Sequence, residues 1–204
     1  MNLFRILLFA LVAIYSLAIL LIEWHTSQAI VRHLVTDIAD PKGQIPFYAI
    51  NTTLSVFSLW ATALFFGVCL VCIDKVKQQR EYWFYLSQVI MFVYLGFDDR
   101  FLIHETVGLW LGRNDAYLIL GLGLLEVGLL AKLGDLRQKP VAALYYLFAA
   151  AIFFAVMVVI DAKFPSQMLL RLSLEELTKL WAGICLALFA WEILLAQITR
   201  LKKE

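Results

Sequence analysis

Six apolar runs govern what this chain can fold into. They cover residues 4–23, 47–73, 82–97, 116–133, 141–160 and 176–198, and the short segments between them hold most of the charge. A helix needs about 20 apolar residues to cross the ~30 Å hydrocarbon layer, and all the runs but the third approach that length. Within hydrocarbon every backbone amide and carbonyl must be satisfied inside its own segment, so the runs read as helices. Of the 204 residues, 63% are hydrophobic and 16% charged, where soluble domains have about half and a quarter. A water-soluble fold of this size has too small an interior for that excess. The expectation is an all-α polytopic membrane bundle, a single domain over residues 1–204 with six transmembrane helices. The first run follows MNLFR and has no small-residue cleavage site before EWH, so it reads as a retained helix.

Orientation follows from the basic residues. Arg5, then Lys75, Lys77 and Arg80, then Lys132, Arg137 and Lys139, then Arg200, Lys202 and Lys203 all fall on one side. That side is expected to be cytoplasmic, with both termini on it, in a bacterial cytoplasmic membrane. The periplasmic or exterior side then receives Glu23, Asp37, Asp40, Asp98, Asp99, Glu105, Asp115, Asp161, Glu175 and Glu176, together with His25, His33 and His104. A net charge of +1 gives no reason to expect nucleic acid, and membrane lipids are the expected surroundings. Cys69, Cys72 and Cys185 lie inside apolar runs, which argues against a disulfide framework and reads Cys69-x-x-Cys72 as helix packing. In the first outer segment Ile30, Leu34 and Ile38 recur at helical spacing beside Val31 and Val35, predicting a short interfacial helix stopped by DPKG. Trp24, Trp110 and Trp181 read as interfacial anchors.

The segment GFDDRFLIHE, residues 96–105, concentrates charge directly after an apolar run. If the third helix continues to residue 105, Asp98 and Glu105 lie nearly two turns apart on one face, Arg100 and His104 are neighbours, and Asp99 points elsewhere. The sixth helix opens SLEELTKLW, setting Glu175 and Glu176 at the same level, with Lys179 in reach of Glu175. Asp98, His104, Glu105, Glu175 and Glu176 thus form a candidate ligand set for a divalent metal ion, since carboxylate oxygens and an imidazole suit such ions. Glu105 or Asp99 would be the catalytic base for a metal-bound water. A plainer expectation competes. Ser173-x-x-Glu176 has the form of a capping box, Arg100 can neutralise Asp98 or Asp99, and Lys179 can neutralise Glu175.

Two acids lie inside apolar runs. Glu126 falls near mid-membrane and Glu192 nearer the cytoplasmic side, and such groups are protonated, paired or exposed to a polar cavity. His25 follows the first run and is a further candidate to lean toward the cluster, and Asn51 opens a formal glycosylation acceptor at the top of a span.

At FDDRFLIHE and LSLEELTKLWAGICLALF the chain resembles a group of uncharacterised bacterial multi-pass membrane proteins. These carry an L-D-[DE]-x-x-x-x-H-E-like segment at one helix end and a glutamate pair opening the last helix. The resemblance bears on Asp98, Asp99, His104, Glu105, Glu175 and Glu176, implies no reaction, and is broken by Lys179, where an acid or a neutral residue is expected. Three functional expectations follow. The first is a metal-dependent hydrolase acting on a lipid or small substrate at the outer face. The second is a non-enzymatic subunit whose outer acids dock a membrane-protein partner. The third is a proton-coupled transporter using Glu126 and Glu192.

Overall fold

The computed structural model describes residues 3–35, 49–112, 114, 116–165 and 167–202, with Ala29 and His33 described by backbone only. The described residues form eight α-helices: α1 (Leu3–His25), α2 (Gln28–Val35), α3 (Ile50–Val71), α4 (Gln79–Phe101), α5 (Ile103–Leu111), α6 (Ala116–Leu133), α7 (Val141–Lys163) and α8 (Arg171–Leu201). A 3-10 turn, Leu136–Gln138, links α6 to α7. Five of these helices, α1, α3, α6, α7 and α8, are long and apolar enough to cross a membrane. The chain is thus an all-α protein of the integral-membrane type. α4 has 23 residues, about 35 Å of helix, but it carries Arg80, Glu81, Gln88, Asp98 and Asp99 and is less apolar than the others.

Polarity is arranged inside out. Leu3, Leu7, Leu11, Ile14, Leu17 and Leu21 form an exposed apolar stripe on α1, and Tyr145, Phe148, Ile152, Val156 and Val159 form one on α7. Asn51, Thr52, Ser55, Ser58 and Thr62 are buried along one face of α3. Lipid competes poorly for polar groups, so hydroxyl and amide side chains turn inward, where they also permit close helix approach.

α3, α4, α6, α7 and α8 close a ring, each touching the next and α8 returning to α3. α1 packs outside it, against α8, and α2 contacts α1, α3 and α8. The aromatic centre of the ring is Phe66 of α3. Its ring centroid lies 5.7 Å from that of Phe84, 6.1 Å from Phe92 and 5.8 Å from Phe189, which joins α3, α4 and α8 through offset and edge contacts. Two glycines mark close approaches. A Cβ on Gly183 would lie 2.3 Å from Ser58 Oγ, and one on Gly96 would lie 2.2 Å from the indole nitrogen of Trp60. Gly96→Ala must push the Trp60 indole off its edge contact with Phe97. We expect it to cost about 1–3 kcal/mol, read as an earlier thermal unfolding midpoint in detergent.

The helix predicted around Ile30 exists as α2, with Val31 and Val35 buried against Ile19, Leu172 and Leu177 and Ile30 exposed. Ile38, DPKG, Asp37, Asp40 and Asp115 fall outside the described residues. Trp24 and Trp110 are exposed as anchors would be, but Trp181 is not an anchor of that kind. It stacks on Phe9 and Phe153, and its indole N–H donates to Ser16 Oγ at 3.1 Å.

Candidate functional site

The polar end of α3 and the charged ends of α4, α5, α7 and α8 meet at one end of the ring, around a cavity of about 360 Å³. Its floor is apolar, with Leu59, Leu95, Ile119, Phe154 and Leu186, and its wall is polar.

The first wall element is a break in the chain. α4 does not continue to residue 105. It stops at Phe101, and Leu102 adopts a left-handed conformation (φ 52°, ψ 43°) from which α5 departs. A leucine in that region costs of order 1–2 kcal/mol, and Asp98 supplies the compensation. Its carboxylate is 2% exposed and accepts the His104 amide at Oδ1 (2.9 Å) and the His104 ring Nδ1 at Oδ2 (2.7 Å). Asp98 therefore caps α5 and orients the imidazole in one step. The expected pairing of Asp98 with Glu105 along a continuous face is thereby replaced. His104 lies beside Asp98, and the exposed Glu105 stands at the cavity rim.

The second element is an ion cluster on α8. Lys179 Nζ lies 2.8 Å from Asp99 Oδ1, 3.0 Å from Glu176 Oε1 and 2.9 Å from Glu176 Oε2. Asn51 of α3 donates to the Glu176 backbone carbonyl at 2.9 Å and to its carboxylate at 3.3 Å. The glycosylation acceptor Asn51 is thus a buried structural amide. The pairing of Lys179 with Glu175 that their spacing led us to expect is replaced by these contacts to Asp99 and Glu176. Glu175 instead reaches back to Arg171, 2.9 Å away, which also donates to Asp161 of α7 at 2.7 Å.

The capping box also fails, because α8 begins earlier than the residues opening it. Leu170 is left-handed and α8 starts at Arg171, so Ser173 lies inside the helix. The cap comes from α1. Glu23, fully buried, accepts the Leu170 amide at 3.0 Å, the Ser173 amide at 3.2 Å and the Ser173 hydroxyl. A carboxylate at a helix N-terminus satisfies otherwise orphaned amides and meets the positive end of the dipole.

The proposed metal ligands are brought to one cavity but not to one point. Among the described residues no group of three His, Cys, Asp or Glu side chains is placed to hold a metal ion. The physical reason is Lys179. Its ammonium takes the central position between Asp99 and Glu176, while Asp98 is committed to His104 and Glu175 to Arg171. The buried acids have partners too. Glu126 accepts from Gln88 Nε2 at 3.2 Å across α4 and α6, and Glu192 pairs with Arg5 of α1. His25 is exposed, and the side chain of His33 lies outside the described residues.

Sequence reasoning missed Glu23, Asn51, Asp161 and Arg171 as contributors, and it read Lys179 as a mere neutraliser. A signal existed for some of them. Glu23 ends an apolar run, and Asn51, Thr52, Ser55, Ser58 and Thr62 share one helical face within an apolar run, where a polar face calls for a partner.

Burial disfavours the charged imidazole of His104, but its hydrogen bond to Asp98 and the nearby charges of Asp98 and Glu105 prevail and raise its pKa above the ordinary value. An ionised carboxylate only accepts hydrogen bonds, so Nδ1 keeps its proton toward Asp98 and Nε2 is the atom that titrates.

A sequence-family profile described as a domain of unknown function (DUF8692) matches residues 5–193. No curated protein and no solved structure matches the chain.

Proposed function

Because the chain belongs to the DUF8692 family, whose description assigns no activity, we propose a function from the side chains themselves. The protein is a membrane-embedded acid–base site, acting on a lipid or small amphiphile that enters a cavity on the outer face of a bacterial cytoplasmic membrane. Both termini are cytoplasmic, by the bias of Lys and Arg toward the opposite end. α4 is the sixth span, its polar residues sheltered by the ring.

The observation that carries this reading is the Asp98–His104 pair in the cavity wall. A buried carboxylate that holds Nδ1–H fixes the tautomer and leaves Nε2 to exchange a proton with an occupant. The raised pKa favours the protonated imidazole, suited to protonating a leaving group, and leaves a base once it has given up that proton. The apolar floor supports an amphiphile over a fully hydrophilic substrate. Hydrolysis is the reaction class that uses these parts most simply. A metal-assisted version is less well supported, since Lys179 occupies the position a cation would take between the carboxylates.

Purified protein in detergent should hydrolyse members of a panel of short-chain ester and phosphoester amphiphiles. His104→Gln and Asp98→Asn should each lower turnover by about 10²–10⁴-fold, and unchanged turnover in both would refute the reading. pH supplies a second check. The folded-state pKa of His104 lies above its unfolded value of about 6.5. The pair's stabilisation is therefore fully present below that pH and is lost as pH rises through the folded value. The stability difference between wild type and Asp98→Asn should shrink over that window in thermal unfolding.

A further inference from the structure

α6 carries one acid within its apolar length. Glu126 stands ten residues after Ala116, about 15 Å along a helix of 18 residues that is long and apolar enough to cross a membrane. Leu124, Leu125 and Val127 beside it are exposed, and Glu126 itself is half-buried where α6 meets α4. Neither Glu126 nor its partner Gln88 lines the outer cavity, so the acid–base chemistry proposed there uses neither.

The surroundings of Glu126 do not suit a carboxylate. Among the described residues it makes a single hydrogen bond, accepting from Gln88 Nε2 at 3.2 Å, and no ion pair. Glu192, deep in α8, has the guanidinium of Arg5 instead. A charge in hydrocarbon with one neutral donor is far costlier than the neutral acid, and groups so placed neutralise. Gln88 supplies an independent sign. It is fully buried near the middle of α4, and its Oε1 has no hydrogen-bond partner among the described residues. Buried acceptors left without a donor are rare. Oε1 is bonded to the same carbon as the Nε2 that engages Glu126. An ionised Glu126 can only accept, whereas the neutral acid offers one O–H and one carbonyl oxygen, the complement of a primary amide.

We infer that Glu126 and Gln88 form a one-proton site inside the membrane. Glu126 is the neutral acid, its O–H donating to Gln88 Oε1 while Gln88 Nε2 donates to its carbonyl oxygen. Release of the proton would strip Gln88 Oε1 of its donor and place a charge on α6, so the contact of α4 with α6 is tied to one bound proton. Because Glu126 is partly exposed on an apolar helix, an apolar reagent reaches it from the lipid. The site stands apart from the cavity, and its fate does not depend on the turnover of His104→Gln.

The test uses the full chain in phosphatidylcholine nanodiscs near neutral pH. Infrared difference spectra of wild type against Glu126→Gln should show one protonated-carboxyl carbonyl band that the variant lacks. Gln88→Leu should keep that band and move it to higher frequency, as a carboxyl released from hydrogen bonds does. The second probe is dicyclohexylcarbodiimide, an apolar reagent that takes the neutral acid. The carboxyl O–H adds across one C=N bond and nothing leaves, so the adduct has the mass of both partners. Peptide mass mapping should find the adduct on Glu126 and none on Glu192. Gln88→Leu should form it about 2–10-fold faster, the effect of freeing the O–H from one ordinary hydrogen bond. Absence of the infrared band overturns the neutral acid, and a band that Gln88→Leu leaves unmoved overturns the pairing. No adduct on Glu126, or an equal one on Glu192, overturns a site open to the lipid and distinct from a paired acid. Glu126→Gln keeps a donor and an acceptor for Gln88, so its comparison with wild type stands even where Gln88→Leu fails to fold.

Discussion

Lys179→Met is expected to destabilise the protein by about 3 kcal/mol, the lower end of what removing one partner from a buried ion pair costs. The lower end applies because the lysine side chain is 26% exposed while the carboxylates of Asp99 and Glu176 are 8% and 9% exposed. Without the ammonium, two buried carboxylates face one another across α4 and α8, with Asn51 the remaining donor to the Glu176 carboxylate among the described residues. They must either repel or take up a proton. Unfolding by denaturant in mild detergent should show the loss. Adding Asp99→Asn and Glu176→Gln to Lys179→Met should recover most of it, because neutral amides carry no uncompensated charge. A midpoint unmoved by Lys179→Met would mean that the cluster is not a unit.

Glu23→Ala should cost about 2–4 kcal/mol. A lost N-cap is worth about 0.5–2 kcal/mol, and a buried donor left without a partner about 1–3 kcal/mol. Here the amides of Leu170 and Ser173 lose one carboxylate together. Glu23→Gln keeps an acceptor and should lose less. Hydrogen exchange gives a local readout, since the amides at the start of α8 should exchange faster in Glu23→Ala while those around Phe189 keep their protection. Uniform loss of protection would point to collapse of the whole bundle instead.

The contrast between what was readable and what was not has a physical cause. Five of the six expected spans were readable because hydropathy is summed over about 20 residues and survives local error. The meeting of Asp98, His104, Glu175 and Glu176 around one cavity was also readable, as alternation of helices brings those ends to one side. The roles within the cavity were not. Leu102 is a leucine in a conformation that favours glycine, and no Gly or Pro marks the break between α4 and α5. That break replaced the face shared by Asp98 and Glu105 with a capped corner. Ser173-x-x-Glu176 satisfies a local capping rule, but Glu23, from 150 residues earlier, satisfies the helix start first and moves it to Arg171. Glu175 and Glu176 then pair with different cations, which their adjacency alone does not distinguish.

Among the described residues, polar ties join α1 to α8 along its length: Glu23 to the beginning of that helix, Ser16 to Trp181, and Arg5 to Glu192 near its other end. A helix is therefore secured by one synthesised 150 residues after it. At roughly 5–20 residues per second, the 150 residues between Glu23 and Ser173 take about 8–30 s to synthesise. For that interval α1 resides in the bilayer with Glu23 awaiting its amides, held by the membrane surface or by a proton. α3, α4, α6 and α7 can associate meanwhile without it. Docking of α1 onto α8 then waits on the synthesis of α8, and a chain halted before Arg171 would leave α1 unlatched.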